Sequence, residues 1–243
     1  MRILKVAVVF LTRLPVRLDP WHDEQELARA SRFFPAVGAV LGLATAALYV
    51  LFSALLPVTL AAVLAVASGI LLTGALHEDA LGDVADGFGG GWDRESVLRI
   101  LKDPRQGTYG VIAMVLALLL RVGALVELGP ERAWAVWPAV AALSRVGMVW
   151  MLWRLPSARA EGAAAGASRD LTGRDVAVCT VIGLAVAVGF RELFFPCLAV
   201  VVAVTWWWAR VARRRLGGVT GDVAGASQQL GELGLWLTLV ALG

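Results

Sequence analysis

Val58-Thr-Leu-Ala-Ala-Val-Leu-Ala-Val-Ala-Ser-Gly-Ile-Leu-Leu-Thr-Gly-Ala-Leu76 runs directly into His77-Glu-Asp-Ala-Leu-Gly-Asp-Val-Ala-Asp-Gly87. The first part carries no charge and is close to the roughly 20 apolar residues that cross a bilayer as a helix. The second part crowds five potential metal or proton ligands, His77, Glu78, Asp79, Asp83 and Asp86, at the mouth of that helix. Charges at such a place are costly unless compensated, so a cluster of acids asks for a cation. Read as a helix, Asp79, Asp83 and Asp86 stand at i, i+4 and i+7. At about 100° per residue they fall within roughly 60° of one another on one face. Three hard oxygen donors on one face suit Mg²⁺, and Mg²⁺ at a carboxylate cluster goes with phosphate chemistry.

The rest of the chain has the same character. Of 243 residues, 59% are hydrophobic and 10 are Trp, which is too much apolar surface for a soluble domain of this length. The expected fold is all-α: a polytopic integral membrane helix bundle forming one membrane domain over 1–243. Seven membrane helices are read at 34–56, 58–76, 108–128, 133–153, 176–190, 193–209 and 226–242. The segment Ile3 to Leu11 is too short to span and shows no cleavage site, so it is read as lying in the interface or against the bundle.

Basic residues test this arrangement. With a cytoplasmic N-terminus, the regions 1–33, 77–107, 154–175 and 210–225 lie inside and hold 18 of the 22 Lys and Arg. The outside turns hold only Arg132 and Arg191, and Arg121 and Arg145 fall within helices. This is the positive-inside distribution. It places every long loop on one side, with cytoplasmic catalytic loops expected around 77–107 and 216–225. The net charge of +3 follows this topology and points to no nucleic-acid partner. Cys179 and Cys197 sit in apolar runs and read as small buried hydrophobes. His22 and His77 are too few for a His-based zinc site. The stretch 154–175, rich in Ala, Gly and Ser, reads as a flexible connector.

Two further stretches join the acidic one. In 87–110, Gly89, Gly90 and Gly91 are expected to break the helix. Asp93 is a candidate N-cap for a short amphipathic helix over 94–102, with Val97, Leu98 and Leu101 toward the bundle. Lys102-Asp-Pro-Arg-Gln-Gly-Thr108 then packs two cations, an acid and small donors before the next helix. Point charge, fork donors and backbone N–H groups at a helix N-terminus are what a diphosphate needs. Trp92 and Tyr109 flank this loop as interfacial anchors or as stacking surfaces for a base. In Leu216-Gly-Gly-Val-Thr-Gly-Asp222, the glycines would let backbone approach a ligand, with Gly218 and Thr220 as candidate substrate contacts. Asp222 is either a fourth metal carboxylate or an N-cap. Ser227, Gln228, Gln229 and Glu232 carry polarity into the membrane, and Glu232 is the expected partner of Arg121 or Arg145.

These motifs resemble those of the cobalamin synthase family, the adenosylcobinamide-GDP ribazoletransferases. The resemblance rests on 76–87, on Lys102-Asp-Pro-Arg-Gln-Gly-Thr-Tyr-Gly110 and on Gly217-Gly-Val-Thr-Gly-Asp-Val-Ala-Gly-Ala226. Phe10-Leu-Thr-Arg-Leu-Pro15 and Phe34-Pro-Ala-Val-Gly38 match its N-terminal signatures, so it runs in order over nearly the whole chain. It implies a Mg²⁺-using enzyme of the bacterial cytoplasmic (inner) membrane, with its site facing the cytoplasm. Such an enzyme joins adenosylcobinamide-GDP to α-ribazole, or to its 5′-phosphate, and releases GMP. The implied partners are these substrates, the lipid bilayer and either a second copy of the chain or other corrinoid-pathway enzymes.

The resemblance maps the metal carboxylates onto Asp79, Asp83, Asp86 and Asp222. It maps the phosphate-side residues onto Lys102, Asp103 and Arg105, beside which Gly107 and Thr108 are read as small donors to the substrate. Asp103 and Asp83 are the candidates for a proton acceptor. This chain departs from the pattern at Glu78, where an apolar residue is common, at Pro104, where Ser is common, and at Gln229, where an acid is common. Rival readings are a CDP-alcohol phosphotransferase or prenyltransferase, an ion-coupled carrier using Arg121, Arg145 and Glu232, or a scaffold. The first lacks its Asp-Gly-x-x-Ala-Arg signature here, and the carrier lacks the repeated halves such proteins often show.

Overall fold

The computed structural model describes residues 2–18, 24–160 and 162–243. His22 lies outside the described residues. Among those described, the chain is helical, and its one β contact is an isolated parallel bridge between Ser157 and Val219. The helices are α1 (Arg2–Leu11), α2 (Glu24–Ala30), α3 (Phe34–Ser53), α4 (Val58–Thr73), α5 (Leu76–Gly90), α6 (Arg94–Ile100), α7 (Thr108–Arg154), α8 (Ala163–Asp170), α9 (Gly173–Ala187), α10 (Phe194–Leu216) and α11 (Gly221–Leu242).

Two of the helical runs double back. Straight, α7 would be about 70 Å long, and Arg121 and Arg145 would stand roughly 36 Å apart. Instead both line one cavity together with Glu232. The reversal falls at Gly129, whose φ of 72° and ψ of 166° no helix contains, and Pro130 follows it. The run from α9 to α10 reverses in the same way at Arg191, at φ 53° and ψ −119°. Gly183 on α9 and Thr205 on α10 consequently pack against the adjacent residues Val146 and Gly147 of α7.

Seven crossings were expected. Three helical stretches, 25–53, 108–154 and 173–216, are long and apolar enough to cross a membrane, and α4 with α5 makes a fourth if that bent pair counts as one crossing. The difference has a physical origin. Two of these stretches are continuous helical runs that contain a reversal, and α11 carries Ser227, Gln228, Gln229 and Glu232 around its middle.

Three local expectations need correction. The apolar run 58–76 is not one helix: Gly74 and Ala75 both take left-handed backbone, at φ 67° and 59°, and α5 leaves α4 at 90°. The acidic residues therefore lie on a separate helix turned away from the apolar run. Helix α5 also continues through Gly89 to Gly90, and the chain turns only at the extended Gly91. Lastly, 154–175 is not a bare connector, because it forms α8 and buries Ala158, Ala167 and Leu171.

One cluster of buried apolar side chains runs from Val6, Ala7 and Leu11 of α1 to Leu239 of α11. Packing between helices in lipid depends on close approach rather than on exclusion of water. Gly42 supplies such an approach: a Cβ there would lie 2.7 Å from the Trp137 carbonyl oxygen. Beside it, Trp137 meets Tyr49 and Trp236 edge to face, at centroid distances of 6.4 and 5.5 Å. The Tyr49 hydroxyl donates to the Leu125 carbonyl at 2.8 Å, satisfying its one buried polar atom.

Candidate active site

Helix α5 presents its carboxylates one turn apart to different surroundings. Asp79 is exposed and opens onto a cleft shared with Asp222 at the start of α11. Asp83 is half-buried and accepts a hydrogen bond from Gln106 Nε2 at 2.8 Å. Asp86 is buried, with one oxygen accepting from the Gly107 N–H at 2.7 Å and the other from the Gly110 N–H at 2.8 Å. Those amides belong to the N-cap and third residue of α7, which would otherwise lack partners. Asp86 thus caps α7 from a neighbouring helix, and Gly110 must be glycine because a Cβ would strike this carboxylate.

The carboxylates feel one another. Burial first, then the neighbouring charges of Asp79, Asp222 and Asp86, raise the Asp83 carboxyl to about 6 against the lowering effect of Gln106. Burial likewise raises Asp222, against the lowering effect of Arg159. This is a set of hard oxygen donors whose mutual repulsion a cation would relieve. Among the described residues, however, no three His, Cys, Asp or Glu side chains converge enough to hold a metal alone.

The loop between α6 and α7 supplies the cations. Asp93 caps α6 as expected, accepting from the Ser96 N–H, and Val97 and Leu101 are buried beneath it. Lys102 is exposed. Arg105 grips Asp103 through Nε at 2.9 Å and Nη2 at 2.6 Å. That two-point bond holds the Asp103 carboxyl down at about 2. Asp103 therefore orients Arg105 and is a poor proton acceptor, which leaves Asp83 as the stronger of the two candidates. Gly107 and Thr108 begin α7, with Thr108 exposed. Trp92 is 97% exposed, so none of the described residues covers its ring.

The 216–222 stretch differs from its expected role. Gly218 does allow a close approach, but to the Pro156 carbonyl, beside the bridge in which the Val219 N–H donates to Pro156 O at 2.9 Å. Thr220 is buried and caps α11 by accepting from the Val223 N–H. Because Thr220 takes the cap, Asp222 is released from it and faces Arg159 at 3.2 Å.

Sequence reasoning missed Arg159, which reaches Asp222 from the supposed connector and also donates to the Leu101 carbonyl. Arg94 and Arg215 were missed as well. Arg94 donates to the Leu216 and Ala158 carbonyls, and Arg215 to those of Phe88 and Gly91. Three arginines counted only as topology signals therefore tie the site's loops together.

Beneath α5 lies a buried ionic network. Arg121 pairs with Glu78 at 3.1 Å and with Glu232 at 3.5 Å, and donates to Gln229. Gln229 donates to Glu78 at 3.1 Å. Glu232 also receives hydrogen bonds from Gln228 and Trp236. The expected pairing of Glu232 with a helix-borne arginine is present, and Glu78 proves to be part of it.

Spanning helices that carry a cross-helix of carboxylates beside a cationic loop define an all-helical membrane enzyme with an oxygen-donor site at the end of its bundle. The family model described as cobalamin-5-phosphate synthase matches residues 3–240, and the chain belongs to that family. It is 44% identical over 241 residues to an adenosylcobinamide-GDP ribazoletransferase of Sinorhizobium medicae, covering 93% of this chain and 91% of that one. A protein of the same name from Ralstonia nicotianae is 41% identical over 247 residues, covering 98% and 95%. Another from Shewanella frigidimarina is 37% identical over 248 residues, covering 98% and 94%. No solved structure matches significantly.

Proposed function

We propose that this protein joins adenosylcobinamide-GDP to α-ribazole or its 5′-phosphate, on the cytoplasmic face of the bacterial inner membrane. A ribose hydroxyl oxygen attacks the cobinamide-side phosphorus. The bond from that phosphorus to the bridging oxygen breaks, GMP departs with that oxygen, and the hydroxyl proton is released. The observation that carries this reading is the Gln106–Asp83 hydrogen bond, which joins the carboxylate helix to the loop of Lys102 and Arg105. The activity is that named for its relatives.

Phosphoryl-type transfer asks the protein mainly for positioning and charge neutralisation. Lys102 and the Asp103-oriented fork of Arg105 would neutralise the departing GMP phosphate. Asp79, Asp83 and Asp222 are the residues that would hold Mg²⁺. They fit it in kind, and their failure to converge fits its habit of binding one or two carboxylates and completing its shell with substrate phosphates. Mg²⁺ bound there would supply charge neutralisation at the diphosphate. Of the two candidate proton acceptors for the ribose hydroxyl, Asp83 is the one whose carboxyl is raised, to about 6 without metal, rather than held down by an arginine.

The test is GMP release by the purified protein in nanodiscs given adenosylcobinamide-GDP and α-ribazole, with Mg²⁺ or EDTA. Mg²⁺-dependent GMP with an equal yield of cobalamin is expected. No GMP from a folded sample with either form of ribazole would overturn the reading.

A further inference from the structure

A cleft of about 180 Å³ opens beside the carboxylates of α5 and α11. Asp79 and Asp222 line it, but most of its wall is apolar, including Phe10, Phe34, Met148 and Leu152. Phe10 and Phe34 lie parallel in that wall, with centroids 5.6 Å apart and planes 4° apart. Among the described residues no Lys or Arg lines it. A diphosphate held through a cation would keep to Asp79 and Asp222, which leaves the apolar remainder of the cleft to an uncharged group.

We infer that this cleft binds the aromatic base of the nucleoside substrate, with the ribose directed toward Asp79 and Asp222. The inference rests on the function proposed above and adds where the nucleophile sits. A corrin with its side chains is several times too large for the space. Guanine is small enough, but it would bury polar edges against apolar walls at a cost. The methylated benzimidazole of α-ribazole has apolar edges and a flat face that suit the Phe10–Phe34 wall.

The geometry of α5 completes the argument. Asp79 opens onto the cleft, whereas Asp83, one turn further on, is bonded to the loop of Lys102 and Arg105. Four residues of helix are about 6 Å, close to the length of a ribose. A base in the cleft thus brings its ribose hydroxyls alongside α5, facing the phosphate-side loop.

Met148→Trp, which fills the cleft, tests this by separating the two Michaelis constants. The KM for α-ribazole should rise about tenfold or more while that for adenosylcobinamide-GDP stays within about twofold, the discrimination expected of an apolar pocket. An unchanged KM for α-ribazole overturns the inference, and a rise confined to adenosylcobinamide-GDP assigns the cleft to guanine instead. Should Met148→Trp not fold, Leu152→Ala serves in reverse: it should raise kcat/KM for a naphthimidazole riboside relative to α-ribazole, and no change in that ratio counts against the inference. Calorimetric titration of α-ribazole into the wild type without corrinoid, with free 5,6-dimethylbenzimidazole as competitor, does not depend on turnover. Competition supports the cleft, and its absence opposes it. A wild type that binds α-ribazole but releases no GMP would sink the proposed reaction and leave the cleft standing.

Discussion

Arg121 of α7 holds Glu78 of α5 at 3.1 Å, with 7% and 14% of the two side chains exposed. Glu78 immediately precedes Asp79, so this pair fixes how the acidic face of α5 sits against α7. Gln229 touches both members, accepting from Arg121 and donating to Glu78. A carboxylate at position 229 would therefore meet the same guanidinium.

Relocating the charge should follow. Glu78→Leu breaks a buried pair, which typically costs about 3–5 kcal/mol, and should lower both the melting temperature and GMP release. Adding Gln229→Glu should recover most of each, because Arg121 regains a second anion. Thermal unfolding in detergent and GMP assays check this. A double variant no better than Glu78→Leu would mean that Arg121 does not position α5.

Asp86 should act on folding before chemistry. Asp86→Ala leaves two α7 amides without their charged acceptor, and hydrogen bonds to charged groups are worth about 1.5–3 kcal/mol each. Its melting temperature should fall clearly, and activity should fall no further than the folded fraction requires. Normal stability with lost turnover would make Asp86 a ligand first and a cap second.

The raised Asp83 carboxyl sets a pH dependence. Below about 6 it is protonated, and above it is ionised, so GMP release should rise with pH through that value. Stability has the opposite sign. The folded value lies above the ordinary 3.8, so ionisation disfavours the metal-free fold as pH climbs from about 4 to 6. Mg²⁺ should relieve this and move the activity midpoint down. Activity profiles at two Mg²⁺ concentrations test it, and a midpoint that ignores Mg²⁺ would separate Asp83 from the metal.

Asp103 and Arg105 should behave as one orienting unit. Asp103→Asn weakens the two-point grip on Arg105 and should raise the KM for adenosylcobinamide-GDP several-fold, leaving that for α-ribazole unchanged. Arg105→Lys should do the same, since a point charge does not replace the planar fork. A lost proton acceptor would instead collapse kcat at constant KM.

Much of this was legible in the chain. The apolar runs located α3, α7, α9, α10 and most of α11, and the spacing of Asp79, Asp83 and Asp86 placed them on one helix. The Asp93 cap was readable because its partner, Ser96, is three residues away. What escaped depends on distant contacts or on backbone that composition does not report. Ala75 takes left-handed backbone beside Gly74, and alanine gives no warning of it. Asp86 reads as one more ligand until the amides of Gly107 and Gly110, 21 and 24 residues on, are seen to occupy it. Asp222 reads as a cap or a fourth ligand, and only the packed helix start shows that Thr220, two residues earlier, takes the cap. Arg159 lay in a stretch whose Ala and Gly content suggested slack, although it closes on Asp222 from 63 residues away.

The central claim is that Asp83 of α5 carries the chemistry rather than the fold. It is tested most directly by Mg²⁺-dependent GMP release from Asp83→Asn beside the wild type, with both melting temperatures measured in the same nanodiscs. The account predicts turnover reduced by about a hundredfold or more, the scale of a lost acid–base or electrostatic contribution, at a melting temperature no lower than that of the wild type. Near-normal GMP release from a folded Asp83→Asn would contradict it.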